Sequence, residues 1–300
     1  MKNFLKRFIG RPDLWSIGIY AGDSPFCLSS PKAISNPVLT RKHVKDRKAL
    51  FVADPFMVCE HEVWYMFFEV LNWETEKGEI GLAISKDGWH WTYQQIVLSE
   101  SFHLSYPYVF KRQNEFYMIP ESYEKKAIRL YKAVSFPFRW KFVKDLLVGF
   151  DFIDSSVFYH NNKWWLFTCP TTNNDVLKLF YANCLEGPWL EHPVSPVING
   201  NPHSARCGGR VLVWGDRIIR YAQDDYPLYG KCLHAFEITK LTVGEYKEIE
   251  YPDNPILRAG CKNWNKKGMH NIDLHYLGDD KWIACVDGYH KSLALRKIWK

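Results

Sequence analysis

The sequence predicts an all-β chain folded as a five-bladed β-propeller, and three observations predict it. Aromatic residues are frequent, with 13 Trp, 17 Tyr and 19 Phe making up 16% of 300 residues, a bias that favours strands. An apolar strand, a polar turn and a second apolar strand recur five times, starting at Asp54, Tyr106, Asp154, Gly208 and Ile272, at intervals of 52, 48, 54 and 64 residues. After the first three of these hairpins a second one follows, marked by Trp91, Trp140 and Trp189, two steps of 49. Two hairpins, about four antiparallel strands and about 50 residues per unit describe a propeller blade. A β-sandwich also uses many short strands, but it does not call for such regular tryptophan spacing.

In chain order, residues 12–22, containing Trp15-Ser-Ile-Gly-Ile-Tyr20, read as a closing strand. The last unit ends early, at Ser292 to Trp299, short of an outer strand. The N-terminal strand would complete it and remove an exposed edge. Blades are expected to start near residues 51, 103, 151, 205 and 269 of a single domain spanning 1–300. Their first hairpins turn at His61-Glu62, Gln113-Asn114, Asn161-Asn162, Gly215-Asp216 and Gly278-Asp279, polar and glycine pairs suited to tight turns. The three spaced tryptophans read as blade packing.

Composition excludes several classes. With 47% hydrophobic and 24% charged residues the chain is not a disordered one. No apolar run approaches the roughly 18 residues of a membrane span, so no transmembrane segment is expected. The basic start, Met1 to Arg11, lacks an unbroken apolar stretch, so no signal peptide and a cytoplasmic location are expected. Eight cysteines without a Cys-x-x-Cys pair indicate reduced thiols and oppose both a disulfide framework and a zinc ribbon. A net charge of +6 permits an anionic ligand but lacks the dense basic stripe of a nucleic-acid binder. No phosphate-binding loop, dinucleotide fingerprint, nucleophile elbow or kinase signature is present.

In a propeller the first strand of each blade lines the central channel. The residues that open each first strand and those that close each second strand should therefore converge. The first set is Asp54, Tyr106, Asp154, Gly208 and Ile272, preceded by His103, Asp151, His203, Arg206 and His270. The second is Glu69, Glu121, Cys169, Gln223 (with Asp224 beside it) and Asp287. Asp54 and Asp154 share a register in blades one and three. Several carboxyls around one pocket suit glycosidic chemistry, where one is ionised and another is kept protonated by burial or a like charge. Against this, Asp before Pro or Ser also caps turns, and Glu69 and Glu121 could serve as structural partners of an arginine. The histidines lack metal spacing, so no metal and no cofactor are expected. Contacts to substrate are expected from Glu69, His103, Tyr106, His203, Arg206, Asp224, His270 and Asp287. Arg206 and Arg210 beside Gly208-Gly209 could hold an anion, and Trp73 could stack on a sugar.

Ala53-Asp-Pro-Phe-Met57, Phe67-Phe-Glu69, Gly78-Glu-Ile80, His103-Leu-Ser-Tyr-Pro107, Met118-Ile-Pro-Glu-Ser122, Phe136-Pro137 with Trp140, Ile153-Asp-Ser-Ser156, Tyr229-Gly230 and Gly268-Met-His270 carry a resemblance over residues 50–290. The chain resembles the five-bladed propellers of the arabinanase, levansucrase and invertase superfamily, including glycoside hydrolase family 43. It is more similar to the N-terminal domain of plant glucosamine inositolphosphorylceramide transferase and its bacterial relatives. The family 43 resemblance implies a blade-one base, matched by Asp54, and a blade-three orienting carboxylate, matched by Asp154. It also implies a blade-four acid, which His203-Ser-Ala-Arg-Cys-Gly-Gly209 does not contain, so Glu121 or Glu69 is left to supply the proton. In the plant protein the glycosyltransferase fold lies in a separate domain. The expected function is glycosyl transfer in glycan or surface-polysaccharide assembly, with Asp54 as base or nucleophile, Asp154 as its stabiliser and Glu121 as acid. The expected partners are a sugar or activated-sugar substrate and a separate transferase, not nucleic acid. A family 43 hydrolase and a non-catalytic sugar-binding propeller are the alternatives.

Overall fold

The computed structural model describes residues 13–291 and consists of five antiparallel sheets in a ring. The chain opens with β1 (Asp13–Ser24) and the short β2 (Cys27–Ser29). Blade one follows as β3 (Ala49–Glu60), β4 (Val63–Asn72), β5 (Gly78–Ser85) and β6 (Thr92–Leu98). Blade two is β7 (Ser105–Arg112), β8 (Glu115–Glu121), β9 (Ala127–Ser135) and β10 (Arg139–Val148). Blade three is β11 (Ile153–His160), β12 (Lys163–Cys169), β13 (Val176–Ala182) and β14 (Leu190–Glu191), with β15 (Ile198–Asn199) also pairing β13. Blade four is β16 (Leu212–Trp214), β17 (Arg217–Asp224), β18 (Cys232–Leu241) and β19 (Tyr246–Glu250), with β20 (Leu257–Arg258) pairing β18.

Blade five is closed by the other end of the chain. β21 (Ile272–Gly278) and β22 (Lys281–Lys291) continue into β1 and then β2. Ile17 sits opposite Asp287 in a ten-residue antiparallel register. The N-terminal strand thus closes the ring as expected, but as the third strand of its sheet, and β2 takes the outer position. The final segment named in the sequence, Ser292 to Trp299, lies outside the described residues, as does residue 12. Two short 3-10 turns, Tyr123–Lys125 and Asn263–Asn265, are the helical elements assigned among the described residues, and no helix there is long and apolar enough to cross a membrane.

Four of the five hairpins turn at the expected pair, and in blade five the turn is Asp279-Asp280, one residue later than expected, because Gly278 still pairs with Lys281. His61 and Glu62 both have positive φ, as do Asn161 and Asn162, the geometry that matches strand twist in a two-residue hairpin. Blades one and two pack face to face through aromatic rings: Tyr65 meets Phe136 edge-on at 4.8 Å, and Phe67 meets Trp140 edge-on at 5.4 Å. The spaced tryptophans do pack the blades. Each indole donates to a carbonyl in the turn before the outer strand, Trp91 to Gly88, Trp140 to Pro137 and Trp189 to Leu185, at 3.0 Å in every case.

At the start of the first three blades the chain does something unusual. Asp54, Tyr106 and Asp154 adopt φ of +51°, +44° and +44°. Each sits at a break in strand register, between Ala53 and Phe56, Ser105 and Tyr108, and Ile153 and Ser156. Such bulges redirect a side chain that regular alternation would place elsewhere, and non-glycine residues in this conformation are held there by their surroundings. The surroundings are carboxylates of the preceding blades. Asp287 accepts from Asp54 N at 3.0 Å, Asp54 from Tyr106 N at 3.2 Å and Glu121 from Asp154 N at 3.1 Å.

A buried acidic cluster as candidate functional site

Asp54, Glu69, Glu121, Asp154 and Asp287 are all buried and interact electrostatically at one end of the channel. Burial is costly for a carboxylate unless it is paired, and each has found partners. Asp154 Oδ2 accepts from Arg206 Nε at 2.6 Å and from Gln223 Nε2 at 2.7 Å. The same guanidinium lies 4.0 Å from Glu121 and donates to Asn174 at 3.4 Å. Glu121 also accepts from Ser105 Oγ at 3.1 Å. His103 Nε2 stands 3.5 Å from Glu69, its Nδ1 accepting from Gly78 N at 3.0 Å. Asp287 Oδ1 accepts from His270 Nδ1 at 2.8 Å and from the amides of His270 and Asn271. His270 Nε2 is 3.5 Å from Asp54.

These environments push the titrations apart. Burial raises Asp54 to about 7, with the charges of Asp154 and Asp287 adding to it and His270 opposing. Burial raises Glu121 well above the usual carboxylate range, helped by Asp154 and opposed by Arg206. Glu69 is raised by burial and by Asp54 and Glu121. His270, which burial alone would depress, is lifted to about 9 by Asp287 and Asp54. The cluster therefore sets carboxyls of raised proton affinity beside charged groups, the arrangement that acid–base chemistry requires.

Four buried oxygens at this end have no donor among the described residues: Asp154 Oδ1, Gln223 Oε1, Asp225 Oδ2 and Asn271 Oδ1. All are acceptors. Aromatic groups border the cluster. Trp15 stacks on His270 at 4.0 Å, and Tyr229 meets the same imidazole edge-on at 5.2 Å. Arg206 lies over the Tyr229 ring at 5.0 Å. Tyr229 comes from the segment between β17 and β18 and is 42% exposed.

The expected residues do not all converge. Tyr106 is fully buried, and its hydroxyl crosses to blade four, accepting from Gly209 N at 2.8 Å beside Ser156 Oγ at 2.8 Å. Its side chain bolts the channel wall together and its amide holds Asp54. His203 and Asp224 form a separate pair at the rim, 2.9 Å apart, with no hydrogen bond to the acidic cluster. Arg210 corrects the expectation of an anion cradle. It is spent on Asp273 at 2.5 Å and on the carbonyls of Val109 and Met57, and this guanidinium brings Asp273 to about 2 against the effect of burial. Gly208 and Gly209 are packing glycines as well. A Cβ on Gly209 would lie 1.8 Å from Ile272 O, and one on Gly208 2.1 Å from Leu233. Trp73 is half-buried with the Lys48 ammonium 5.9 Å from its ring.

Sequence reasoning missed Trp15, Tyr229, Asp225 and Asn271. Only Tyr229-Gly230 carried a signal, as a motif without a role. The trio Asp54, His270 and Asp287 presents ligand-type atoms within 4.8 Å of one another, but an imidazole raised to about 9 sits between the carboxylates as their counter-ion, which competes with a metal.

The model of the family described as glucosamine inositolphosphorylceramide transferase 1, N-terminal, matches residues 11–289. The chain belongs to that family. It is 37% identical over 298 residues to glucosamine inositolphosphorylceramide transferase 1 of Oryza sativa subsp. japonica, covering 91% of this chain and 40% of that protein. The Arabidopsis thaliana protein of the same name is 35% identical over 296 residues, covering 91% and 39%. This family member thus spans about two fifths of the length of the curated relatives it matches. Among solved structures, the catalytic domain of an α-L-arabinofuranosidase from Coprinopsis cinerea superposes with a TM-score of 0.62 at 13% identity, covering 81% of this chain and 92% of that one. At that identity the likeness is one of fold.

Proposed function

We propose that this propeller binds and processes a sugar-bearing substrate at the acidic end of its channel, in glycan or glycolipid assembly. The observation that carries the reading is the cluster of five buried carboxyls whose proton affinities are set apart by burial, Arg206 and His270, as glycosyl chemistry needs one carboxyl that gives a proton and one that takes it. Glu121 gives its proton to the oxygen leaving the anomeric carbon, whose bond to that oxygen breaks. Asp54 takes the proton of the incoming hydroxyl as the new bond forms. Asp154, paired with Arg206 from blade four, supplies negative charge near the reacting centre. Family membership makes a glucosamine-bearing donor and an inositolphosphorylceramide acceptor the first pair to try, with a separate transferase as partner. Eight free cysteines suit a reducing, cytoplasmic setting.

A binding-only role is the second reading, favoured by one fact: Asp54, Asp154, Glu121 and Asp287 already receive main-chain amides, Arg206 or His270. Turnover of nucleotide-linked and lipid-linked sugars and of aryl glycosides separates the readings. Transfer requires the activated donor, and Asp54→Asn and Glu121→Gln each lower kcat at least a hundredfold with folding intact by circular dichroism. Unchanged turnover in both variants defeats the catalytic assignment. Ligand binding by calorimetry that weakens without any turnover establishes the binding reading in its place. Release of free sugar from aryl glycosides alone establishes hydrolysis.

A further inference from the structure

We propose a divalent metal site of zinc type at the rim of blade four, formed by Asp224, Cys232 and His234. The pairing of β17 with β18 sets Asp224 opposite Cys232 and Ala222 opposite His234. Cys232 and His234, two apart on one strand, share a face. Cys232 Sγ lies 3.7 Å from Asp224 Oδ2 and 3.6 Å from His234 Nε2, and Nε2 lies 4.0 Å from Oδ2. Tetrahedral zinc with thiolate at about 2.3 Å and nitrogen or oxygen at about 2.0 Å has ligand–ligand edges of roughly 3.3–3.6 Å. The two sulfur edges lie within about 0.2 Å of that geometry, and the nitrogen–oxygen edge of 4.0 Å closes by about 0.7 Å on binding.

A second observation points the same way. Glu250 Oε1 accepts from His234 Nδ1 at 3.2 Å. A carboxylate behind an imidazole fixes its tautomer and turns the Nε2 lone pair inward, the outer support of a ligating histidine. Lys231 Nζ now holds Asp224 Oδ2 at 3.0 Å, and His203 holds the other oxygen at 2.9 Å. The Lys231 side chain is 46% exposed and its ammonium also donates to Tyr226 O at 3.4 Å, so a metal at Asp224 exchanges one cation for another and leaves its fourth position to water. A metal takes the thiolate, so binding releases the thiol proton to solvent and tightens as pH rises.

The site also has a consequence for the channel. Asp224 and Cys232 bracket the segment that carries Tyr229 over Arg206. A metal joining its two ends would anchor the aromatic cover of the acidic cluster.

Cobalt(II) added to the reduced full chain provides the test. The expected result is a thiolate-to-cobalt charge-transfer band that saturates at one equivalent, is abolished by zinc, and is lost in Cys232→Ser and His234→Gln but kept in Cys184→Ser. Glu250→Gln, which leaves all three ligands in place, should weaken zinc about tenfold to a hundredfold. Absence of a thiolate band in the wild-type chain, or a band that survives Cys232→Ser, overturns the proposal.

Discussion

His270 bridges the two ends of the ring: its Nε2 lies 3.5 Å from Asp54 in blade one while its Nδ1 donates to Asp287 in its own blade. The carboxylates lift the imidazole from an ordinary 6.5 to about 9 despite its burial. A folded pKa above the unfolded one gives stability that is complete below about 6.5 and lost as pH rises through about 9. Thermal unfolding followed from pH 6 to pH 10 should therefore show a midpoint that falls across that window. His270→Gln should be destabilised at pH 6 and show a flattened slope above it. Asp54 follows the same sign lower down, its carboxyl adding stability that fades as pH rises through about 7. A slope unchanged in His270→Gln would remove the imidazole from this account.

Arg206 and Asp154 form the pairing between blades four and three, at 2.6 Å. Deleting the guanidinium leaves the buried Asp154 carboxylate with Gln223 and Glu121 as its remaining side-chain partners and no positive charge beside it. Arg206→Ala should cost about 3–5 kcal/mol, the usual loss when one partner of a buried pair is removed. Asp154→Asn in the same chain should recover part of it, since the uncompensated charge is gone. Chemical denaturation of the two single variants and the double variant measures the coupling. Additive losses would mean that the two side chains do not act together.

Two glycines with positive φ should respond very differently to alanine. Gly209 has φ +145°, and a Cβ there meets the carbonyl of Ile272, with which it forms a bridge between blades four and five. Gly215 has φ +58° in an open turn with nothing within 4 Å. Gly215→Ala should cost about 1–2 kcal/mol, the penalty of a left-handed residue. Gly209→Ala must also part the blades and should lose several times as much, read as the denaturation midpoint or as soluble yield. Similar losses for both would show that the close approach does not matter.

The blade repeat, the hairpin turns and the packing tryptophans were legible because each depends on neighbours close in sequence. Polar pairs at turns and aromatics at fixed steps recur wherever the same local geometry recurs. The polar ends of the second strands were legible too, as Glu69, Glu121, Gln223 and Asp287, since a carboxylate or amide ending an apolar strand stands out against the hydrophobic pattern. Tyr106 could not be assigned that way: nothing near it shows that its hydroxyl meets Gly209, 103 positions later. The same holds for Arg206 and Arg210, alike in the sequence, one partnered with Asp154 in the cluster and the other with Asp273.

By itself, then, the sequence determined a ring of five similar sheets and the strand ends that face its axis. Only the tertiary structure decided which of those groups are paired, which are protonated and which carry the walls. The reason is that partners such as Asp54 and Asp287, 233 residues apart, meet only once the ring is closed. Burial in that closed ring then makes every charge depend on the residue it faces.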